Sequence, residues 1–150
     1  FPPGYSPTYW NDVWELPLSG PSALTWSPLV VSGTPPSERW IYSMRYDPPR
    51  DRMVMFGGVS SAGRTNEVWT LELSGTPRWV YMNPAMPPPS NRSDHLMVYD
   101  EYNDRMVMFG GFDGAFRNDA WALEMNGSPQ WNLLNPIGGP PSPRDILDGI

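Results

Sequence analysis

The chain contains no cysteine, no lysine and a single histidine, His95. Lacking cysteine, it can form no disulfide, no thiolate metal site and no cysteine nucleophile. Positive charge is scarce: ten basic residues, all arginine, face sixteen acidic ones, for a net charge of −6. The arginines are scattered from Arg39 to Arg144 instead of forming a stripe. This excludes a protein built to release counterions from nucleic-acid phosphates. No apolar run approaches the ~18 residues that a membrane helix needs, and no basic stretch precedes an apolar one in the manner of a secretion signal. The chain opens Phe1-Pro-Pro-Gly4 without methionine, as expected of a mature form or of an excerpt.

Proline, glycine and aromatic residues are abundant. Twenty prolines and fourteen glycines approach the level at which a chain stays disordered. Eight tryptophans, seven tyrosines and five phenylalanines oppose that outcome, because they supply the apolar area that disordered chains lack. A loop-rich β protein with an aromatic core satisfies both counts.

The chain is internally repetitive. Arg-Met-Val-Met-Phe-Gly-Gly occurs at Arg52–Gly58 and again at Arg105–Gly111, an offset of 53. Asn11-Asp-Val-Trp14, Asn66-Glu-Val-Trp69 and Asn118-Asp-Ala-Trp121 form a triplet, each followed by a second tryptophan, Trp26, Trp79 and Trp131. Pro-Pro-Ser then recurs at Pro35, Pro88 and Pro140, with Arg39, Arg92 and Arg144 two residues after each serine. Each unit holds four strand-sized segments. In the first, Met44 and Tyr46 alternate with Ser43 and Arg45. In the second, Met53 and Met55 oppose Val54 and Phe56, so both faces are apolar. In the third, Trp69, Leu71 and Leu73 alternate with Thr70 and Glu72, while the fourth carries Trp79 or Trp131. Asp47–Asp51, Asp100–Asp104, Ser74–Pro77 and Asn126–Pro129 have the composition of hairpin turns.

A strand apolar on both faces needs a layer on each side, and four-stranded units of fixed period meet that need by stacking sheet against sheet. The doublets Gly57-Gly58 and Gly110-Gly111, the tryptophans Trp14, Trp69 and Trp121 of strand three and Trp26, Trp79 and Trp131 of strand four, and the arginines Arg39, Arg92 and Arg144 before strand one make the chain resemble the kelch-repeat propellers, including the central domain of galactose-oxidase-like proteins. The resemblance implies an all-β, kelch-type propeller segment of four-stranded antiparallel blades, with strand one nearest a central channel. The expected boundaries are a partial blade with strands three and four at 1–36, complete blades at 37–87 and 88–139, and the first strand of a further blade at 140–150. Such a segment does not close a ring alone. Its expected partners are further blades, from a longer chain or from other copies as a homo-oligomer.

Side chains suited to chemistry are few. Asp94 beside His95 has the look of a general-base pair, but the other units place Tyr42 and Leu147 at the histidine position, which favours a structural or channel-lining role. Glu72 and Glu124 occupy matched positions and are read as answering the repeated arginines. Galactose-oxidase chemistry needs a cysteine-linked tyrosine and several copper ligands and is excluded within this stretch. No catalytic residue, metal site or cofactor is expected. Asn91-Arg-Ser93 and Asn126-Gly-Ser128 match the glycosylation triplet, the second followed by proline.

The connections between strands two and three vary between units and carry aromatic and arginine residues at non-repeating positions: Tyr5, Tyr9, Trp10, Arg64, Phe112, Phe116 and Arg117. Antiparallel order places them on the same face as the proline-rich links between blades. They form the expected recognition surface of a non-catalytic binding or scaffolding module for a protein or carbohydrate ligand. The alternatives are the supporting blades of a larger kelch-fold enzyme, or a short piece that self-assembles into a ring. Secretion is expected from family habit and the lack of free thiols, with the cytoplasm as the alternative.

Overall fold

The computed structural model describes residues 10–85 and 87–144. Among these, regular structure is β-strand apart from one 3₁₀ turn, Pro48–Arg50. The strands are β1 (Trp14–Glu15), β2 (Ser27–Pro28), β3 (Ser43–Asp47), β4 (Arg52–Phe56), β5 (Val59–Ser60), β6 (Gly63–Arg64), β7 (Val68–Glu72), β8 (Arg78–Met82), β9 (Leu96–Asp100), β10 (Arg105–Phe112), β11 (Phe116–Glu124) and β12 (Gln130–Leu134). They form two four-stranded antiparallel sheets, β3-β4-β7-β8 and β9-β10-β11-β12, preceded by the pair β1-β2. The architecture is that of kelch propeller blades in an open array, as the repeat requires. The first strands β3 and β9 lie side by side, joined where Ser43 Oγ donates to His95 O at 2.7 Å.

The Met-rich second strands act as the two-faced element of each blade. Val54 and Phe56 project into a cluster with Met97, Met106, Met108, Leu123 and Trp131 of the next blade. Met53 and Met55 turn the other way, toward Leu71, Trp79, Val13 and Val31, and so onto the partial blade. Each buried side chain of this size contributes about 1.5–3 kcal/mol, and methionine adapts to the irregular space between twisted sheets. Exposure follows position in the array. Trp79 and Trp131 are 8% and 2% exposed, whereas their counterpart Trp26, just before β2, is 62% exposed.

Cross-strand charge fixes the register. Arg52 stands opposite Asp47 on β3 and Glu72 on β7, with contacts of 2.8 and 3.5 Å. Arg105 stands likewise between Asp100 and Glu124 at 2.9 and 3.6 Å. Glu72 and Glu124 therefore hold repeated arginines. Asp51 and Asp104 close the first hairpins in the left-handed region (φ 46° and 52°), a conformation aspartate tolerates. On this face Arg50 crosses to the next blade, reaching Asp104 at 2.6 Å and Met125 O at 2.8 Å.

The strands depart from the expected plan in three places. The Val59–Thr65 connection folds into its own small hairpin, β5-β6, and β10 and β11 run on past a bulge to a tight turn at Asp113–Ala115. Of the further blade, residues 140–144 form no strand, and 145–150 lie outside the described residues.

The glycine doublets serve the blade junction. Gly58 N donates to Arg92 O at 2.9 Å, and Gly111 N to Arg144 O at 3.3 Å. A Cβ at Gly111 (φ 97°) would stand 2.6 Å from Ser93 O and 2.9 Å from His95 Cβ. His95, 6% exposed, lies beneath this doublet with its ring 5.1 Å from Phe56, which in turn stands 4.9 Å from Trp131. Burial, reinforced by repulsion from Arg92, pushes the imidazole down to about 4.

Two outcomes follow for stability. Because the folded state prefers neutral His95, this contribution is complete above pH 6.5 and is lost as pH falls toward 4, by about 3 kcal/mol in all. Denaturant unfolding of His95→Leu is expected to lack that part of the pH dependence. An unchanged slope between pH 6.5 and 4 would refute the assignment. Gly111→Ala, strained and overpacked, is expected to cost about 3 kcal/mol or more. Gly114→Ala has a comparable φ of 116° but meets no atom within 4 Å, and is expected to cost about 1–2 kcal/mol. Equal shifts in the unfolding midpoint would contradict the close-approach argument.

Candidate functional site

The face that carries the inter-blade links is built by one repeated device. Arg39 Nε and Nη2 donate to Ser37 O and Oγ at 3.1 and 2.9 Å. Arg92 does the same to Ser90 at 3.3 and 2.9 Å, and Arg144 to Ser142 at 3.1 and 3.2 Å. The first two then reach across their blades to Gly57 O and Gly110 O at 3.3 and 3.0 Å. Each also pairs with an acid at the start of strand three, Arg39 with Glu67 at 2.6 Å and Arg92 with Asp119 at 2.7 and 2.9 Å.

That acid belongs to the Asn-(Asp/Glu)-x-Trp motif. The indoles of Trp14, Trp69 and Trp121 donate to Asp12, Glu67 and Asp119 at 2.6, 3.0 and 2.6 Å. Asn11, Asn66 and Asn118 donate to the link carbonyls of Pro36, Pro89 and Pro141. Burial opposes ionisation of Glu67 and Asp119, but the guanidinium and indole donors outweigh it and hold both carboxyls below the usual range. The sequence reading paired the repeated arginines only with Glu72 and Glu124. The charge signal for Glu67 and Asp119 was present in the invariably acidic second position of the motif.

On this frame, four of the seven expected recognition residues come together across the blade junction. Arg64, exposed on β6, stacks its Cζ 4.5 Å from the ring centroid of Phe112 at the end of β10. Phe116, half-exposed at the start of β11, meets Phe112 edge-on at 5.2 Å. Arg117 Nε donates to both oxygens of Asp113 at 2.8 Å, and Ser90 Oγ donates to Asp113 at 2.6 Å. Burial of Asp113 works against ionisation, yet these donors take its carboxyl down to about 2. Arg64 Nε donates to Ser93 Oγ at 3.2 Å, and Ser93 Oγ donates to Asp94.

The second and third of the variable connections are short hairpins: Arg64 lies in β6, and Phe112, Phe116 and Arg117 are strand residues. Asp113, Ser90, Ser93 and Asp94 complete this ledge and were not foreseen as part of it. The spacing of Asp113 and Arg117 across a glycine turn was the available signal. Trp10 lies elsewhere, lining a groove of about 190 Å³ with Arg39, Tyr42, Met44 and Trp79, and none of the ledge residues lines it. Tyr5 and Tyr9 lie outside the described residues. His95, enclosed in the junction, reaches neither surface.

A family model described as the KLHDC2/KLHL20/DRC7 Kelch-repeats domain matches residues 4–147. Similar curated proteins include the dynein alpha chain of the flagellar outer arm from Chlamydomonas reinhardtii, 29% identical over 139 residues, covering 89% of this chain and 3% of that protein. The host cell factor homolog hcf-1 of Caenorhabditis elegans is 28% identical, covering 95% of this chain and 20% of the relative. The leucine-zipper-like transcriptional regulator 1 homolog of Drosophila melanogaster is 30% identical, covering 78% of this chain and 12% of the relative. The chain thus spans a fifth or less of the length of these relatives. With a family model running through both blades and their links, the chain belongs to the KLHDC2/KLHL20/DRC7 kelch-repeat domain family.

Proposed function

We propose that this kelch segment is a non-catalytic protein-interaction module, and that the ledge of Arg64, Phe112, Phe116 and Arg117 is where it meets a protein partner. The observation that carries this reading is the contrast between Arg64 and the four arginines Arg39, Arg92, Arg105 and Arg117. Arg39, Arg92, Arg105 and Arg117 are held by carboxylates. Arg64 is exposed, has no carboxylate partner among the described residues, and is fixed in place by Phe112 and Ser93. A pre-positioned guanidinium beside a half-exposed phenylalanine resembles the anchors that dominate protein interfaces. The match to a kelch-repeat family and to the host cell factor relatives supports a protein-interaction module. The exposed flank of β1-β2, where Trp14 and Trp26 are open, takes further blades in this reading, from the same longer chain or from other copies.

A photoreactive residue at position 116 is expected to cross-link the partner, while one at Tyr102, exposed in the opposite-face turn, does not. Arg64→Ala and Phe116→Ala are each expected to weaken binding by about 2 kcal/mol, roughly 30-fold, while lowering stability by only about 1 kcal/mol, the worth of the lost cation–aromatic or ring–ring contact. Undiminished binding by the double variant would remove the ledge from the interface.

A further inference from the structure

We infer that Asn126 is a built-in modification site, at which the side-chain amide is lost to give aspartate and isoaspartate. Of the nine asparagines, Asn126 alone precedes a glycine. The reaction needs an accessible backbone nitrogen on the following residue and a side-chain amide free to turn toward it. Seven of the other eight asparagines fail one requirement or the other, and Asn132 lies within β12, paired opposite Ala122. Pro84 and Pro136 leave Asn83 and Asn135 without a following N–H. Asn11, Asn66 and Asn118 spend their amides on proline carbonyls, and Asn103 spends its amide on Asp100. Asn91 is followed by Arg92, whose N–H is committed to Thr65 O.

Asn126 is exposed at the tip of the β11-β12 turn, and its amide has no partner among the described residues. Gly127, at φ 78°, has nothing within 4 Å of where a Cβ would stand. The other complete blade shows why the amide is free. There the matched residue Ser74 donates to Asp51 at 3.0 Å. In the second blade Asp104, the counterpart of Asp51, is already occupied by Arg50 from the neighbouring blade and by Tyr99 Oη at 2.9 Å. The cross-blade latch therefore takes the acceptor that would otherwise hold Asn126.

The step balances without any oxidant or reductant. The Gly127 nitrogen, giving up its proton to solvent base, bonds to Cγ of Asn126 as the Cγ–Nδ2 bond breaks and ammonia leaves. Water then opens the resulting five-membered imide at either carbonyl. Opening at Cγ yields aspartate, and opening at the backbone carbonyl yields isoaspartate, whose main chain runs through the side-chain carbon. Either product adds one negative charge next to Met125, whose carbonyl receives Arg50.

The folded protein, held at physiological temperature and sampled over time, tests this by peptide mapping with isoaspartate-specific methylation. Asn126 is expected to convert first among the nine asparagines, at a rate comparable to a free peptide of residues 124–130 and several-fold faster at mildly alkaline than at mildly acidic pH. Gly127→Asp keeps a residue that tolerates the left-handed region but crowds the nitrogen, and is expected to slow conversion several-fold. Asn126→Ser is expected to abolish methylation at this turn. An Asn126 that keeps its amide while the free peptide converts, an earlier conversion elsewhere in the chain, or an undiminished rate in Gly127→Asp would each overturn the inference.

Discussion

A guanidinium buried at the entrance to each blade determines where three distant segments meet. Arg92 is 1% exposed, and a charge so far from water persists only if its donors are matched by acceptors in fixed directions. Its planar fork is matched by the Ser90 carbonyl and hydroxyl, Gly110 O and both oxygens of Asp119. A lysine could not satisfy this geometry, because its ammonium lacks the rigid bidentate fork. The arginine therefore fixes the link, the end of strand two and the start of strand three in one arrangement. The asparagine and tryptophan of the strand-three motif complete it by holding the link carbonyl and orienting the acid.

Once the link is held there, its backbone lies against the glycine doublet of the preceding blade, and the doublet must be glycine for two reasons. Gly58 and Gly111 adopt φ of 98° and 97°, and a Cβ would come within 2.6 Å of Arg92 O, in the next link, at Gly57 and of Ser93 O, in its own blade, at Gly111. The arginine that closes one blade thus also sets the approach of the next. His95 occupies the remaining space, where a neutral, flat side chain packs against Phe56. Tyr42, at the corresponding position of the first complete blade, is 43% exposed against 6% for His95, so the burial of His95 comes from its place in the junction.

The blades were legible in the sequence because the physical demand repeats. A second strand apolar on both faces has to be covered twice, and Met53, Met55, Val54 and Phe56 are covered that way. What escaped the sequence lies in pairings between segments that periodicity does not order. The motif acids could be counted, but only the fold brings Glu67 to Arg39 across 28 residues. The ledge was half legible. Non-repeating Arg64, Phe112, Phe116 and Arg117 marked it, whereas Trp10, chosen by the same rule, lines a different groove, because composition names a surface without placing it. The extension of β10 and β11 was missed since Gly110-Gly111 read as the end of a strand, while the structure absorbs the doublet as a bulge within one.

The ledge owes its geometry to its position over a junction. Arg64 comes from one blade and Phe112 from the next, and Ser93, which receives Arg64, is itself paired to Phe112 by backbone bonds of 3.0 and 2.8 Å in both directions. On the opposite face Arg50 ties the same two blades through Asp104. The two sheets are held at both ends of their shared interface, above by the cation–aromatic contact and by the backbone bonds Gly58 N to Arg92 O and Arg92 N to Thr65 O at 2.9 and 3.0 Å, and below by an ion pair. Relative rotation of the blades would have to break both sets, so the spacing between Arg64 and Phe116 is set by the packing of Phe56, Met97 and Met108 beneath them. The proposed recognition surface, assembled from two blades, acquires in this way a rigidity that neither hairpin has alone, and the arrangement it offers is a property of the junction.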